Sequence, residues 1–172
     1  MHKTKKLTLA GLLIGLVTIA TMVIKIPVPA TEGYIHLGDS MIYVAAILFG
    51  SKFGSLAGGV GSAIADILLG YTHWALPTLI VKGIKGFIVG KISNPNQIKV
   101  DTIRVKDAVA ILVGGTWMIV GYYFVSALFS GSFIVPLQGV PMDFVQMGMG
   151  AAIAFPVVFA LLKSEIIDEI TK

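Results

Sequence analysis

Cysteine is absent from this 172-residue chain, and charged side chains make up only 13% of it. Without cysteine the chain has no disulfides and no thiol chemistry. With so little charge it has no surface suited to water, because 56% of its residues are hydrophobic and its mean hydropathy is +0.90. We therefore expect an integral membrane protein that forms a single membrane domain over residues 1–172.

Motifs of several other protein classes are missing as well. The sequence has no P-loop, and its glycine-rich GGVGSA at residues 58–63 lacks the third glycine of a dinucleotide-binding motif and lies within an apolar stretch. The net charge of +4 comes from basic residues dispersed through short loops, without the aromatic–basic pattern of a nucleic-acid surface. His36 and His73 are not at metal-ligand spacing. We predict no catalytic residue, cofactor, metal or nucleic-acid partner.

Apolar stretches predict an all-α bundle of six transmembrane helices. The second and the fourth are short for a hydrocarbon core of ~30 Å, which takes about 20 residues. Six spans put both termini on one side of the membrane, and ten of the thirteen Lys and Arg residues fall on that side. Because basic residues concentrate in cytoplasmic segments, we predict that both termini are cytoplasmic. The predicted spans are residues 7–26, 40–49, 53–69, 77–89, 108–129 and 142–162.

Glycines recur at four-residue spacing on three of these spans. In lipid such spacing lets helix backbones approach closely. On the third and fourth spans we expect packing within the bundle. On the first span the two glycines fit packing within the bundle and docking of a partner helix about equally well. The glycines are Gly11 and Gly15 on the first span, Gly50, Gly54 and Gly58 leading into the third, and Gly86 and Gly90 on the fourth.

Ionisable side chains within the spans are functional candidates, because leaving one in hydrocarbon costs several kcal/mol. Four of them lie toward the outer third of the membrane in this topology, and aromatic and polar residues surround them. This composition predicts a cup for a small ring-containing polar solute. Tyr71, Trp117 and Tyr123 lie at the same level. The predicted substrate-binding residues are Glu32, Tyr34, His36, Asp39, Asp66, His73, Trp74, Lys82, Tyr122, Asp143 and Gln146.

A structural interpretation fits the same residues. Tyrosine and tryptophan favour membrane interfaces, so Tyr71, Trp74 or Tyr122 alone is as well explained as an anchor. Asp66 and Lys82 lie at similar depth, which suits a structural pair of opposite charges. Lys85, one turn deeper, suits snorkelling or packing against a partner. The sequence leaves both interpretations open.

Residues 33–92 resemble the substrate-binding S component of energy-coupling-factor (ECF) vitamin transporters. The first outer loop ends in LGD at residues 37–39, and a short second helix follows. The glycine-rich third helix ends in ADILLG at residues 65–70, and the fourth contains KGIKG at residues 82–86. The last third of the chain resembles the family mainly in hydropathy.

This resemblance implies a prokaryotic cell-membrane protein that captures a vitamin or vitamin precursor from outside. It would dock on a membrane-embedded T component driven by two cytoplasmic ATPases, with no ATPase motif of its own. The small-xxx-small docking motif of the family, usually built from alanine, is matched in spacing by Gly11 and Gly15. The chain is most similar to members that bind hydroxymethylpyrimidine or pyridoxine, with riboflavin and pantothenate as alternatives.

Two other classes of function fit less well. A membrane enzyme would need a nucleophile or a carboxylate cluster in a recognisable setting, whereas Asp39, Asp66 and Asp143 lie on different helices with no motif linking them. A scaffold without a ligand would not need polar side chains to converge on one side. Ligand binding separates the carrier from the scaffold, and turnover or a metal requirement would indicate the enzyme.

Overall fold

The described residues fold as an all-α bundle of six helices, as predicted, with one small β-hairpin. The computed structural model describes residues 2–28, 33–93 and 104–164. The hairpin strands are β1 (Lys25–Val28) and β2 (Gly33–His36). The helices are α1 (Lys3–Val23), α2 (Gly38–Phe49), α3 (Ser51–Leu68), α4 (Thr72–Ser93), α5 (Val105–Ser130) and α6 (Val140–Lys163).

Within these described ranges, three helical segments are both long and apolar enough to cross a membrane, namely Lys3–Val23, Val105–Ser130 and Val135–Lys163. The last combines α6 with a short 3₁₀ helix, Val135–Gln138. As predicted, α2 is short: its 12 residues extend about 18 Å at 1.5 Å per residue. Ten of those residues are buried, because α2 is apolar on every side and the other helices surround it.

Glycines bring α3 and α4 into backbone contact, which confirms the packing predicted for these two spans. A Cβ at Gly54 would lie 2.7 Å from the carbonyl oxygen of Gly86, and one at Gly58 would lie 2.8 Å from that of Lys82. Only glycine permits so close an approach, and van der Waals packing is the main attraction between helices in lipid.

The hairpin is not predicted, because the residues between the first two spans are expected to form the first outer loop. Its strands are antiparallel, with Lys25 opposite His36 and Val28 opposite Gly33. The first helix therefore ends at Val23, three residues before the predicted boundary. Pro27 explains the early end, since proline cannot continue a helix but is tolerated on the edge of a two-stranded sheet.

The fourth helix begins at Thr72, five residues before its predicted start. Pro77, the first residue of the predicted span, lies inside α4, where it removes one backbone hydrogen bond. The 22 residues of α4 extend about 33 Å. The prediction that the fourth helix is short is therefore wrong, and the added first turn carries a wall of the site described below.

Candidate ligand pocket and buried charge cluster

A cavity of ≈ 70 Å³ lies at one end of the bundle, here called the pocket end. At this end β2 meets the C-terminal ends of α3 and α5 and the N-terminal ends of α4 and α6. The lining residues are Tyr34, Ile35, His36, Asp66, Trp74, Thr78, Tyr122, Tyr123, Ser126, Pro136, Gly139, Met142, Asp143 and Gln146.

Seven of the eleven predicted substrate-binding residues line this cavity. Asp39 and Lys82 are fully buried behind its wall. His73 is exposed outside the lining, where its ring lies 6.1 Å from that of Trp74. Glu32 lies outside the described residues. The seven are Tyr34, His36, Asp66, Trp74, Tyr122, Asp143 and Gln146.

Helical spacing explains which side chains reach the site. On α4, Trp74, Thr78, Lys82 and Lys85 follow one another at intervals of four, four and three residues and so share one face. The first two line the cavity, and the two lysines continue the same stripe deeper into the bundle. Thr78 was missed in the sequence, although this spacing would have found it.

Side chains three or four residues apart also share one face on α5 and on α6. Ser126, also missed, lies four residues after Tyr122, and Asp143 and Gln146 are three residues apart. Their helices therefore present both members of each pair to the cavity.

Aromatic rings form one wall of the cavity. The Trp74 ring lies 5.7 Å from the Tyr122 ring and 5.0 Å from the Phe129 ring, both edge to face. The Tyr34 ring, also in the lining, lies 4.7 Å from the ring of Tyr71, which is outside it. Faces and edges of rings at these separations suit contact with a flat ligand.

Asp66 connects the hairpin to α3. The Tyr34 hydroxyl donates a hydrogen bond of 2.6 Å to Asp66 Oδ1, and burial together with this carboxylate raises the pKa of Tyr34 above its ordinary value. The other oxygen, Oδ2, is buried without a hydrogen-bond partner, although the Thr78 side chain is nearby. The structural pair of Asp66 with Lys82 is not formed, because Lys82 pairs with Asp39.

Asp39, Lys82 and Lys85 form a charge cluster with fully buried side chains. Lys82 Nζ binds Asp39 Oδ1, and Lys85 Nζ lies 2.7 Å from Oδ2. Both ammonium groups also lie 3.1 Å from the sulfur of Met118. Lys85 therefore neither snorkels nor faces a partner protein. The single carboxylate of Asp39 is the counter-charge for both buried lysines.

Gln146 connects this cluster to the cavity. Its Nε2 donates a hydrogen bond to Asp39 Oδ2, and its Oε1 accepts one from the backbone N–H of His36. Each of these hydrogen bonds is 2.9 Å long. Asp39 therefore orients the amide, and the amide holds the end of β2 in place. A single side chain joins α2, α6 and the hairpin.

His36 is held as a neutral imidazole. Its Nδ1 accepts a 2.9 Å hydrogen bond from the backbone N–H of Gly38, so the proton of the neutral ring is on Nε2. Burial, and then the positive charge of Lys82, lower the pKa of His36 to about 3. His36 thus supplies the cavity wall with an uncharged donor.

Comparison with known proteins identifies the family of this chain. Residues 1–163 match the family of ECF-type riboflavin transporters, S component. The chain belongs to this family. As an S component it is a multi-pass cell-membrane protein for vitamin uptake, in a family of transporter subunits that are not themselves enzymes.

Relatives of this S component include proteins with and without an assigned substrate. An uncharacterized protein of Pyrococcus woesei is 44% identical over 115 residues, which cover 67% of this chain and 74% of that protein. The thiamine precursor transporter HmpT of Lactococcus lactis is 31% identical over 50% of this chain and 52% of its own length. A UPF0397 protein of Streptococcus pneumoniae is 37% identical over 39% of this chain and 36% of its own.

Proposed function

We propose that this S component binds a single-ring vitamin precursor of the hydroxymethylpyrimidine class. It captures the ligand from outside and delivers it inward with a T component and two cytoplasmic ATPases. The observation that carries the proposal is the size and lining of the cavity at the pocket end. The similarity to a thiamine precursor transporter over half of the chain supports the same class of ligand.

Cavity size favours one ring over several. A cavity of ≈ 70 Å³ holds roughly five water molecules at about 10–15 Å³ each. A substituted pyrimidine or pyridine is of this size, whereas the three fused rings and sugar-alcohol chain of riboflavin need considerably more. Pyridoxine therefore remains an alternative with the same role, and riboflavin, named in the family's description, fits the cavity less well.

Other functions explain less of the site. Pantothenate has no ring to use the aromatic wall around Trp74. A ligand-free scaffold gives no reason for a buried carboxylate oxygen of Asp66 without a partner beside a cavity. Turnover of a substrate would indicate a membrane enzyme instead.

The direction of transport and the docking face are part of the proposal. The concentration of Lys and Arg on the side of the termini supports an orientation with the pocket end outside. On α1, a Cβ at Gly11 or Gly15 would meet nothing within 4 Å. This strip of small residues is open for a helix of the T component to pack against.

Small molecules that co-purify with the detergent-solubilised protein test the proposal. We expect mass spectrometry after denaturation to find a pyrimidine or pyridine at about one per chain, and titration of the emptied protein to give binding near Kd ~1 nM–1 μM. Tight binding of riboflavin in place of the single-ring compounds would overturn the substrate assignment. No binding and no thermal shift with hydroxymethylpyrimidine, pyridoxine, thiamine, riboflavin or pantothenate would overturn the carrier function.

A further inference from the structure

The cavity lining contains carboxylates but no side chain of Lys or Arg. Asp66 and Asp143 both line it, and neither forms a salt bridge within the described parts of the chain. Lys82 and Lys85 are the cations nearest to these groups along α4. Both have fully buried side chains behind the wall and are bound to Asp39. An anionic ligand would therefore meet two carboxylates and no available cation.

Asp66 has a specific unmet requirement. The residue is only 4% exposed, its Oδ1 accepts from Tyr34, and its Oδ2 has no hydrogen-bond partner among the described residues, although the Thr78 side chain is close to the carboxyl group. A buried polar atom in this state is costly unless water or a ligand satisfies it. Since Asp66 lies in the cavity lining, a ligand N–H is well placed to supply the missing hydrogen bond.

The other polar side chains in and near the cavity do not favour an anionic ligand either. His36 offers an uncharged Nε2–H, because its Nδ1 is occupied by the Gly38 N–H. Lys25 is exposed and lies 6.0 Å from the ring centre of Tyr71, which is not part of the lining. An ion pair with so exposed a lysine would contribute little.

We infer that this pocket selects an uncharged or cationic nitrogen heterocycle that donates an amino hydrogen to Asp66, and that it rejects phosphorylated or carboxylated forms of the same ring. This inference rests on the proposed function and narrows it: the ligand is taken up as the free aminopyrimidine. The His36 donor completes the match, because a pyrimidine ring nitrogen or hydroxyl oxygen accepts hydrogen bonds.

A ligand series with the wild-type protein tests the inference directly. The probes are 4-amino-5-hydroxymethyl-2-methylpyrimidine, its monophosphate, and the isostere in which a methyl group replaces the amino group. We expect both altered compounds to bind about 100-fold more weakly, since one places an anion beside carboxylates and the other leaves Asp66 Oδ2 unpaired. Isothermal titration in detergent measures all three.

The Asp66→Asn variant separates recognition from folding. Asparagine keeps an oxygen for Tyr34 but presents an amide donor to the ligand, so we expect about 100-fold weaker binding of the amino compound and a change below about 3-fold for the methyl isostere. Asp107→Asn is the matched control, because Asp107 pairs with Arg104 at the other end of the bundle. It should retain the full amino-over-methyl preference.

The outcomes distinguish the two proposals. If the phosphate or the methyl isostere binds within about 3-fold of the amino compound, the inference is wrong and the proposed function stands. If none of the three binds, the inference and the assignment of a hydroxymethylpyrimidine ligand are both wrong, and the vitamin panel described above decides the carrier function. If Asp66→Asn fails to fold, the wild-type series still decides, because it needs no variant.

Discussion

At the scale of single residues, the cluster of Asp39, Lys82 and Lys85 carries more charge than any other buried part of the described chain. A buried ion pair gains little net stability, because desolvation offsets the attraction. Removing one partner, by contrast, leaves a buried charge without compensation. The cluster contains two cations and one anion, so its members are not equivalent to mutation.

We expect Asp39→Asn to be much more destabilising than Lys85→Met. The first leaves two buried ammonium groups without a counter-charge and should cost about 3–5 kcal/mol. The second leaves the Lys82–Asp39 pair balanced and preserves an apolar stem, so it should cost about 1 kcal/mol or less. Thermal unfolding in detergent measures both, and equal losses would contradict this account of the cluster.

His36 makes stability depend on pH. Its pKa is lowered from 6.5 in the unfolded chain to about 3 in the fold, so its contribution is complete above pH 6.5 and decreases as pH falls from 6.5 toward 3. The maximal slope is about 1.4 kcal/mol per pH unit. His36→Asn keeps an acceptor for the Gly38 N–H but cannot be protonated.

The wild type should therefore lose more stability than His36→Asn between about pH 7 and pH 5, by roughly 2 kcal/mol. Differential scanning fluorimetry of both proteins gives the comparison. Asp39, Lys82 and Lys85 act on His36 and are present in both, so their own titration largely cancels. Parallel pH profiles would show that His36 is not the group responsible.

Residue type and depth in the membrane were enough to select seven of the residues that line the cavity, and helix periodicity, which was not used, explains why they converge. Trp74 and Lys82 lie on one face of α4 at any rotation of that helix, because they are eight residues apart. The partner of Lys82 could not be predicted in this way. Asp39 is 43 residues away on α2, and Asp66 lies at a similar depth on α3. The rotation of each helix about its axis determines which of these two carboxylates Lys82 reaches, and the packing of the whole bundle sets that rotation.

At the scale of elements, the contact between α3 and α4 depends on glycine. A Cβ at Gly86 would collide with the backbone of Gly54, whereas one at Gly148 on α6 would meet nothing within 4 Å. We expect Gly86→Val to cost about 3 kcal/mol or more and Gly148→Val to cost less than about 1 kcal/mol. Valine has the same helix propensity at both positions. Differences between the two variants in unfolding temperature, or in the yield of detergent-solubilised protein, therefore report the packing. Equal effects would argue against backbone contact as the main constraint.

The hairpin shows why element prediction was incomplete. Residues 25–28 contain proline and no alternation of polar and apolar side chains, so no strand pattern is visible. Tertiary contacts fix β2, because Gln146 accepts from the His36 N–H and Tyr34 donates to Asp66, and β1 then pairs with this fixed strand. Such tertiary contacts override local propensity.

At the scale of the whole molecule, hydropathy was sufficient for the fold class, because only helices and closed barrels satisfy their backbone in lipid. The family resemblance rests on motifs in α2, α3 and α4, and two of these helices, α2 and α4, supply the charge cluster. The substrate depends instead on a few side chains from five elements, and their mutual placement is a property of the assembled bundle. Sequence composition could therefore predict a cup but not its exact lining.

Docking of the T component is the property that belongs to the molecule as a whole. If α1 presents Gly11 and Gly15 to that partner, replacing both by Leu should reduce co-purification of the complex and substrate uptake by at least about 10-fold, because bulky side chains keep helix backbones apart. Binding of the ligand to the isolated S component should stay within about 2-fold, since neither glycine is near the cavity. Gly148→Leu, on an equally open site of α6, is the control and should assemble normally. Loss of assembly in the control but not in the α1 variant would place the docking face on α6 instead.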